Sequence, residues 1–469
     1  MAVVADMTTL LANPTLLAVC AEGFLTRVGF GMVGFVLPLY ALSLGFQLHE
    51  VGILYTLRTG TTILVKPAMG WAADRFGRKR VLVLAVCLRC LVGLLFALST
   101  QAWQLYLLRV LQGTMTAARD PSASALIAEH ADKRGMASAF AWYVTARDLG
   151  HAFGYAAAGL LLYATGSYQI VFLIAFFTSC AALVPVLRYV REHREAEGAE
   201  RPVPAPVRPP VPPAARHGWT FYRGLLPAAG FGLLVAGSAE MMKGLFPVIA
   251  TQYAHLTEAE AGLAAGASAV AVLVGGPLFG WLADHVSRQA ALSTRSLANF
   301  VSSPMYLLFP TFGGFLVARV VDDTGKAAFR PSWGALLAEA SDADPARRAR
   351  VISFLDSGYT LGEVLAPVVA GALLAGFGLP GMLGVRAALS LTAEVQAAWA
   401  FRHQRHSREA AFRVFGHQDA ADTAVPDSRA AACVAGRATA EVAEPSRSAA
   451  PGARPGSRDR ETDHRHRDP

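Results

Sequence analysis

The sequence predicts an all-α membrane protein in which 12 transmembrane helices form two parallel six-helix repeats around a central cavity. Three observations predict it. Hydrophobic residues make up 54% of the 469 and charged residues only 16%; apolar runs of membrane length recur from end to end; and two segments repeat at a fixed offset. A soluble chain of this length would form two or three domains, and few soluble folds carry that balance. Crossing a hydrocarbon core of roughly 30 Å as a helix takes about 20 apolar residues.

The spans fall at 15–41, 49–70, 80–100, 103–126, 136–164, 169–189, 223–251, 259–283, 290–309, 312–337, 351–376 and 380–402. Backbone polar groups in lipid must find partners within the chain, which leaves helices or closed barrels. These runs lack the alternation of barrel strands, so each is read as a helix. The organisation follows: residues 1–190 are an N-terminal six-helix half, 191–221 a cytoplasmic linker rich in Pro and Arg, 222–402 a C-terminal six-helix half, and 403–469 a disordered cytoplasmic tail, too poor in apolar residues to bury a core.

The net charge of +8 does not point to nucleic acid. Arg75, Arg78, Lys79, Arg80, Lys133, Arg134, Arg288, Arg295, Arg347, Arg348 and Arg350 share one side of the bundle with the linker. The opposite loops carry almost no basic residues. The positive-inside rule then places both termini in the cytoplasm. Cys20, Cys87, Cys90 and Cys180 lie in helices and read as small apolar residues rather than a disulfide framework. Met1 to Pro14 has no basic n-region, so the first helix is expected to stay in the product.

The repeat carries most of the argument. Residues 109–129 align without a gap to 319–339 with 11 of 21 positions identical, among them Arg109/Arg319, Thr114/Thr324, Pro121/Pro331, Ser122/Ser332 and Glu129/Glu339. The same offset of 210 pairs Pro67, Gly70, Trp71, Ala73, Asp74 and Arg78 with Pro277, Gly280, Trp281, Ala283, Asp284 and Arg288. Two segments agreeing in register mark a duplicated six-helix unit.

The stretch from Gly70 through Asp74, Arg75, Gly77, Arg78 and Lys79 resembles the helix two to helix three loop motif of the major facilitator superfamily; Gly280, Asp284 and Arg288 are its degenerate second copy. The resemblance covers all twelve helices and implies a secondary transporter with a midplane site between the halves. It also implies a latch in which Asp74, Arg78 and Glu129, mirrored by Asp284, Arg288 and Glu339, hold the outward-open state by facing the start of helix eleven. Read as residues alone, the cluster is a carboxylate beside several cations, which either latches or only sets topology.

Arg109-Val-Leu-Gln112-Gly113 resembles the family's helix-four motif, whose arginine is associated with proton coupling; a structural ion pair is the other reading. On helix one, the run Gly29-Phe-Gly31-Met-Val-Gly34 ending at Pro38 resembles the drug:proton antiporter pattern. Glu22 on that helix either carries a proton, since apolar burial favours the neutral carboxyl, or pairs with Arg27 or Arg109. Helix five departs from the antiporter pattern. Gly150, Gly154 and Gly159, expected like Pro38 to let their helices bend, are present, but Tyr155 replaces the bending proline, and a proline appears instead as Pro367 on helix eleven, where a kink is expected.

The remaining interior charges are Arg147, Asp148, His151, Glu240, Lys243, Asp322, Asp323, Lys326, Asp356 and Glu363. Glu240 with Lys243, and Asp322 with Lys326, are spaced to pair on one helical face. As a set they fall on helices that the resemblance places around the cavity. Arg89, Arg386 and Glu394 fall on outer-type helices, with snorkelling the only account for Arg386. The expected protein is a proton-coupled exporter of a small hydrophobic or amphiphilic compound. The alternatives are a proton symporter importing a nutrient, and a membrane sensor or scaffold. No nucleotide loop, zinc spacing or nucleophile elbow suggests an enzyme or an ATP-driven pump. The proton gradient is the expected energy source with no cofactor or metal, and the expected state is a monomer in the bacterial inner membrane.

Overall fold

The computed structural model describes residues 13–130, 136–190, 219–269, 271, 273, 288–342 and 348–422, and every regular element among them is helical. In the first half these are α1 (Pro14–Ser43), α2 (Leu48–Phe76), α3 (Arg78–Leu98), α4 (Ala102–His130), α5 (Met136–Thr165) and α6 (Tyr168–Tyr189). In the second, α7 runs Trp219–Lys243 and resumes as Phe246–Val248 and a π turn, Ile249–Tyr253. Then come α8 (Glu258–Gly266), α9 (Arg288–Leu308) and α10 (Phe312–Asp342). A final stretch, Arg348–Asp422, is broken at Gly378 (φ 69°) into α11, 348–377, and α12, from 379. The 12 helices read from hydropathy are those of the fold.

Local chemistry sets the ends. Asn13 caps α1 by accepting from the backbone of Thr15 and Leu16 ahead of Pro14, and Thr257 with Glu260 forms a capping box at α8. Gly77, at φ 96°, turns the chain from α2 into α3 within one residue, a conformation that costs a side chain dearly. Pro367 does not interrupt α11, and the only non-helical residue in that stretch is Gly378. Residues 404–422 are helical and form a separate unit from 1–403. The structureless tail expected there is therefore corrected over that stretch, where Ala410, Ala411 and their Arg and Glu neighbours favour helix. The tail's 423–469 and the linker's 191–218 lie outside the described residues, and α7 begins at Trp219, earlier than expected.

Leu84, Leu91, Phe177 and Val184 are exposed on α3 and α6, the apolar-out surface of a chain solvated by lipid. Pro14–Ser43, Arg78–Leu98, Tyr168–Tyr189, Leu225–Lys243 and Arg350–Ala398 are long and apolar enough to cross a membrane. The more polar α2, α4, α5 and α10 bring Arg58, Arg109, Asp148, Asp322 and Asp323 to the interior.

Within the first half, α1 and α5 touch backbone to backbone. Gly31 meets the carbonyl of His151, Gly154 that of Val28, and Gly150 that of Phe24; a Cβ at any of the three would collide. Gly150 and Gly154 therefore serve close packing rather than the bending expected of them. Gly159 lies between the halves, against Glu258 and Gly262 of α8. Other contacts between halves are at the same end. Thr56 Oγ1 donates to the Val364 carbonyl at 2.6 Å, Gly52 packs on Pro367, Gly371 on Leu48, and Gly244 on the Tyr55 ring. These are the start of α2, the end of α5, the start of α8 and the end of α11. Among the described residues, the halves thus meet at the end opposite the Asp74 loop.

Candidate functional site

Between the halves lies a charged cavity in two adjoining parts that share Phe30, Arg58, His151, Tyr155, Glu240 and Lys243. The larger, about 810 Å³, is walled by Arg27, Arg58, Asp148, Lys243, Glu240, Arg295, Arg319, Asp322, Asp323 and Lys326. The smaller, about 450 Å³, adds Tyr55, Arg109 and Gln112 and is capped by Gly244 and Pro367. The break in α7 after Lys243 falls here, and the absent side chain of Gly244 makes room for the Tyr55 ring.

The two walls are built differently. On the C-terminal side the charges are paired: Glu240 with Lys243 at 2.8 Å, Arg319 Nε with Asp323 at 2.8 Å, and Asp322 with Arg386 at 2.8 Å and Arg295 at 3.5 Å. Asp322 was expected to take Lys326; Arg386 and Arg295 take it because α9 and α12 point both guanidiniums inward. Arg386, fully buried, does not snorkel. It donates to Ser302, Ser303, the Asn299 carbonyl and side chain, and the Ser238 carbonyl, joining α7, α9, α10 and α12. A buried guanidinium is tolerable only with this many acceptors.

The N-terminal wall is cationic. Arg109, 1% exposed, donates Nε to the Leu54 carbonyl at 3.0 Å and Nη1 to Gln112, and lies 4.4 Å from the Tyr55 ring centroid. Arg58 lies 5.1 Å from the Phe30 ring centroid, and Arg27 and Arg89 flank the same ring at 5.2 and 5.6 Å. Arg89, unexplained by sequence, is buried and donates to the Thr26 carbonyl.

Glu22 does not line the cavity. It is fully buried and bidentate to Arg119, at 2.8 Å to Nε and 2.6 Å to Nη2, so its partner is neither Arg27 nor Arg109. Arg119 also reaches Asp120 at 2.9 Å, and Asp120 meets Arg147 at 3.5 Å and Arg27 at 3.9 Å. The Arg119 and Asp120 signal was present in the sequence as two adjacent charges in mid-helix. Glu363 lies half-buried on α11, outside both linings. Phe30, Arg58, Arg295 and Arg319 line the cavity though sequence reasoning did not place them there; Arg319 was visible as the repeat partner of Arg109.

At the loop end Arg78 pairs with Glu129 and lies 4.0 Å from Asp74, whose side chain is 75% exposed. Arg75 stacks at 5.3 Å on Trp71, Lys79 is half-buried, and a Cβ added at Gly70 would meet nothing. This half of the latch is internal to the N-terminal half. Gly280 and Asp284 lie outside the described residues; Arg288 opens α9 and Glu339 lies in α10, with side chains outside the described set.

The comparisons agree with this geometry. The chain is 25% identical over 410 residues to the multidrug resistance protein MdtG of Citrobacter koseri, covering 82% of this chain and 94% of that protein. It is 27% identical over 304 residues, 62% of this chain and 68% of the relative, to a probable 4-methylmuconolactone transporter of Cupriavidus pinatubonensis. Among solved structures it resembles the nucleoside transporter NupG (TM-score 0.66, 13% identity, 82% and 100% coverage). It also resembles a bacterial homologue of the lysosomal transporter Spinster, inward-facing and occupied (TM-score 0.62, 17% identity, 83% and 96% coverage). The sequence profile of the Major Facilitator Superfamily matches residues 20–241 and again 228–421. The chain belongs to the major facilitator superfamily, a family of membrane transporters and not of enzymes.

Proposed function

We propose that this transporter is a proton-coupled exporter of an amphiphilic small molecule, working as a monomer by rocking its two halves about the central cavity. The excess of basic residues supports placing the loop end in the cytoplasm, and the contacts between halves at the opposite end support reading the state as inward-facing. The observation that carries this reading is the cavity wall: an acid–base pair, Arg319 with Asp323, lines the central cavity. Neither Arg319 Nε nor Asp323 Oδ2 makes an aligned hydrogen bond despite the 2.8 Å approach. Such a pair is held by charge rather than by directed bonds. A proton on Asp323 would release Arg319, and substrate leaving would restore it.

Glu22 suits the proton role less well, because it is sealed from water and doubly bonded to Arg119. Export is supported by the likeness to MdtG, whose name is that of a multidrug resistance protein, along 94% of its length. Import by proton symport is the second reading, supported by the density of charge in the cavity.

The test is flux of a compound panel in inside-out vesicles with an imposed pH gradient. Wild type should accumulate substrate when the lumen is acid. Asp323→Asn should lose gradient-driven accumulation but keep downhill exchange. Accumulation unchanged in Asp323→Asn would remove that residue from the proton path, and accumulation driven only by the reversed gradient would favour import.

A further inference from the structure

Among the described residues, the larger cavity holds six cations, Arg27, Arg58, Lys243, Arg295, Arg319 and Lys326, against four carboxylates, Asp148, Glu240, Asp322 and Asp323. The smaller part is more one-sided. Its sole carboxylate, Glu240, is taken by Lys243, while Arg58 and Arg109 have no carboxylate within ion-pair distance among the described residues. Both guanidiniums also keep an enclosed nitrogen without any acceptor: Nε of Arg58 and Nη2 of Arg109. Arg109 is 1% exposed.

A cation with no carboxylate beside it is costly away from water, and a protein that keeps buried Arg109 and half-buried Arg58 on one wall needs an anion there for part of its cycle. Guanidinium suits a planar oxyanion, which it meets with two parallel N–H donors. Four flat rings share the lining with them. Phe30 and His151 have centroids 5.7 Å apart, His151 and Tyr155 stand edge to face at 4.6 Å, and Tyr55 closes the remaining side.

We propose that the transported molecule is an organic monocarboxylate with a flat, ring-sized apolar body, its carboxylate bridging Arg58 and Arg109 and its body lying among Phe30, Tyr55, His151 and Tyr155. This deepens the exporter reading only in taking the cavity as the substrate site. Arg58 on α2 and Arg109 on α4 belong to one half, so the carboxylate stays with that half as it rocks. The apolar body reaches Gly244 and Pro367 of the other half, whose approach therefore senses occupancy. Arg58 and Arg109 are binding residues in this account, and the acid–base pairs of the opposite wall are left to handle protons.

The test measures binding without any gradient, by thermal shift of the full chain in detergent. The probes are benzoate, phenylacetate and 1-naphthoate, each compared with its neutral amide, with benzylamine as a cation and phenyl phosphate as a tetrahedral oxyanion. At least one carboxylate should stabilise the protein where its amide and the amine do not. Arg58→Gln and Arg109→Gln should each weaken that response roughly tenfold to a hundredfold, the range of a lost charge-assisted bond. Arg58→Lys, which keeps the charge but not the fork, should fold as wild type and recover part of the affinity.

Equal stabilisation by amide or amine would overturn the assignment. So would a stronger response to phenyl phosphate, an undiminished response in a folded Arg58→Gln variant, or no response to any carboxylate at about 10 mM. The outcomes separate the two proposals. Carboxylate binding without pH-driven flux would sink the proton-coupled exporter and leave the anion site standing. Proton-driven flux of amines without carboxylate binding would do the reverse.

Discussion

Replacing Glu22 by Gln should destabilise the N-terminal half more than any single change at the cavity surface. The carboxylate is fully buried, and both its oxygens are bonded by Arg119, at 2.8 and 2.6 Å. Removing one partner of a buried pair costs about 3–5 kcal/mol, because the surviving charge loses its compensation without regaining water. Here the surviving Arg119 still has Asp120 at 2.9 Å, so about 3 kcal/mol is expected for Glu22→Gln. Arg119→Met leaves Glu22 with no other cation within ion-pair distance among the described residues and should cost the upper value, about 5 kcal/mol.

For a unit of this size about 3 kcal/mol lowers the apparent Tm by about 6–12 °C, readable by following unfolding of the purified protein in detergent. The isosteric double variant Glu22→Leu/Arg119→Met leaves no stranded charge and should unfold closer to wild type than either Arg119→Met or Glu22→Gln. Single variants within 1 °C or so of wild type, or a double variant whose loss equals the sum of the singles, would refute the reasoning.

Two further outcomes follow from the packing. Arg386→Met should cost about 3–5 kcal/mol, since Asp322 and the α9 acceptors lose their common donor; if its melting profile matched wild type, the hub would be redundant. Gly159→Val should leave the half-domains folded but hold α5 and α8 apart, because its side chain would overlap Glu258 and Gly262. A several-fold drop in flux with unchanged stability is expected, and a fully active variant would show that this end does not close so tightly.

The helices were legible because a bilayer imposes one length and one polarity on each of them, and the duplication was legible because register survives divergence. That Asp74, Arg78 and Glu129 lie together is what the family resemblance implied. Other pairings across helices could not be read. Spacing allows Asp322 to pair with Lys326, yet the fold brings Asp322 to Arg386 of α12 and Arg295 of α9, and no sequence period links those helices to α10. Glu22 likewise found Arg119, 97 residues away, rather than the cations that stood out in motifs. The glycines of α5 were read as hinges because that is what a glycine can do alone; their role as contact points needs α1 beside them. Arg58 went unremarked because one arginine in an apolar run carries no period. Its meaning comes from Phe30 and Arg109.

The end closed here must open for transport. Thr56 and Val364 bring α2 and α11 together there, linked by a 2.6 Å hydrogen bond. In a variant with the natural cysteines replaced, Thr56→Cys and Val364→Cys should cross-link under oxidation. Flux in proteoliposomes should then stop and return on reduction. A cross-linked protein that transports as fast as the reduced one would contradict alternating access through this cavity.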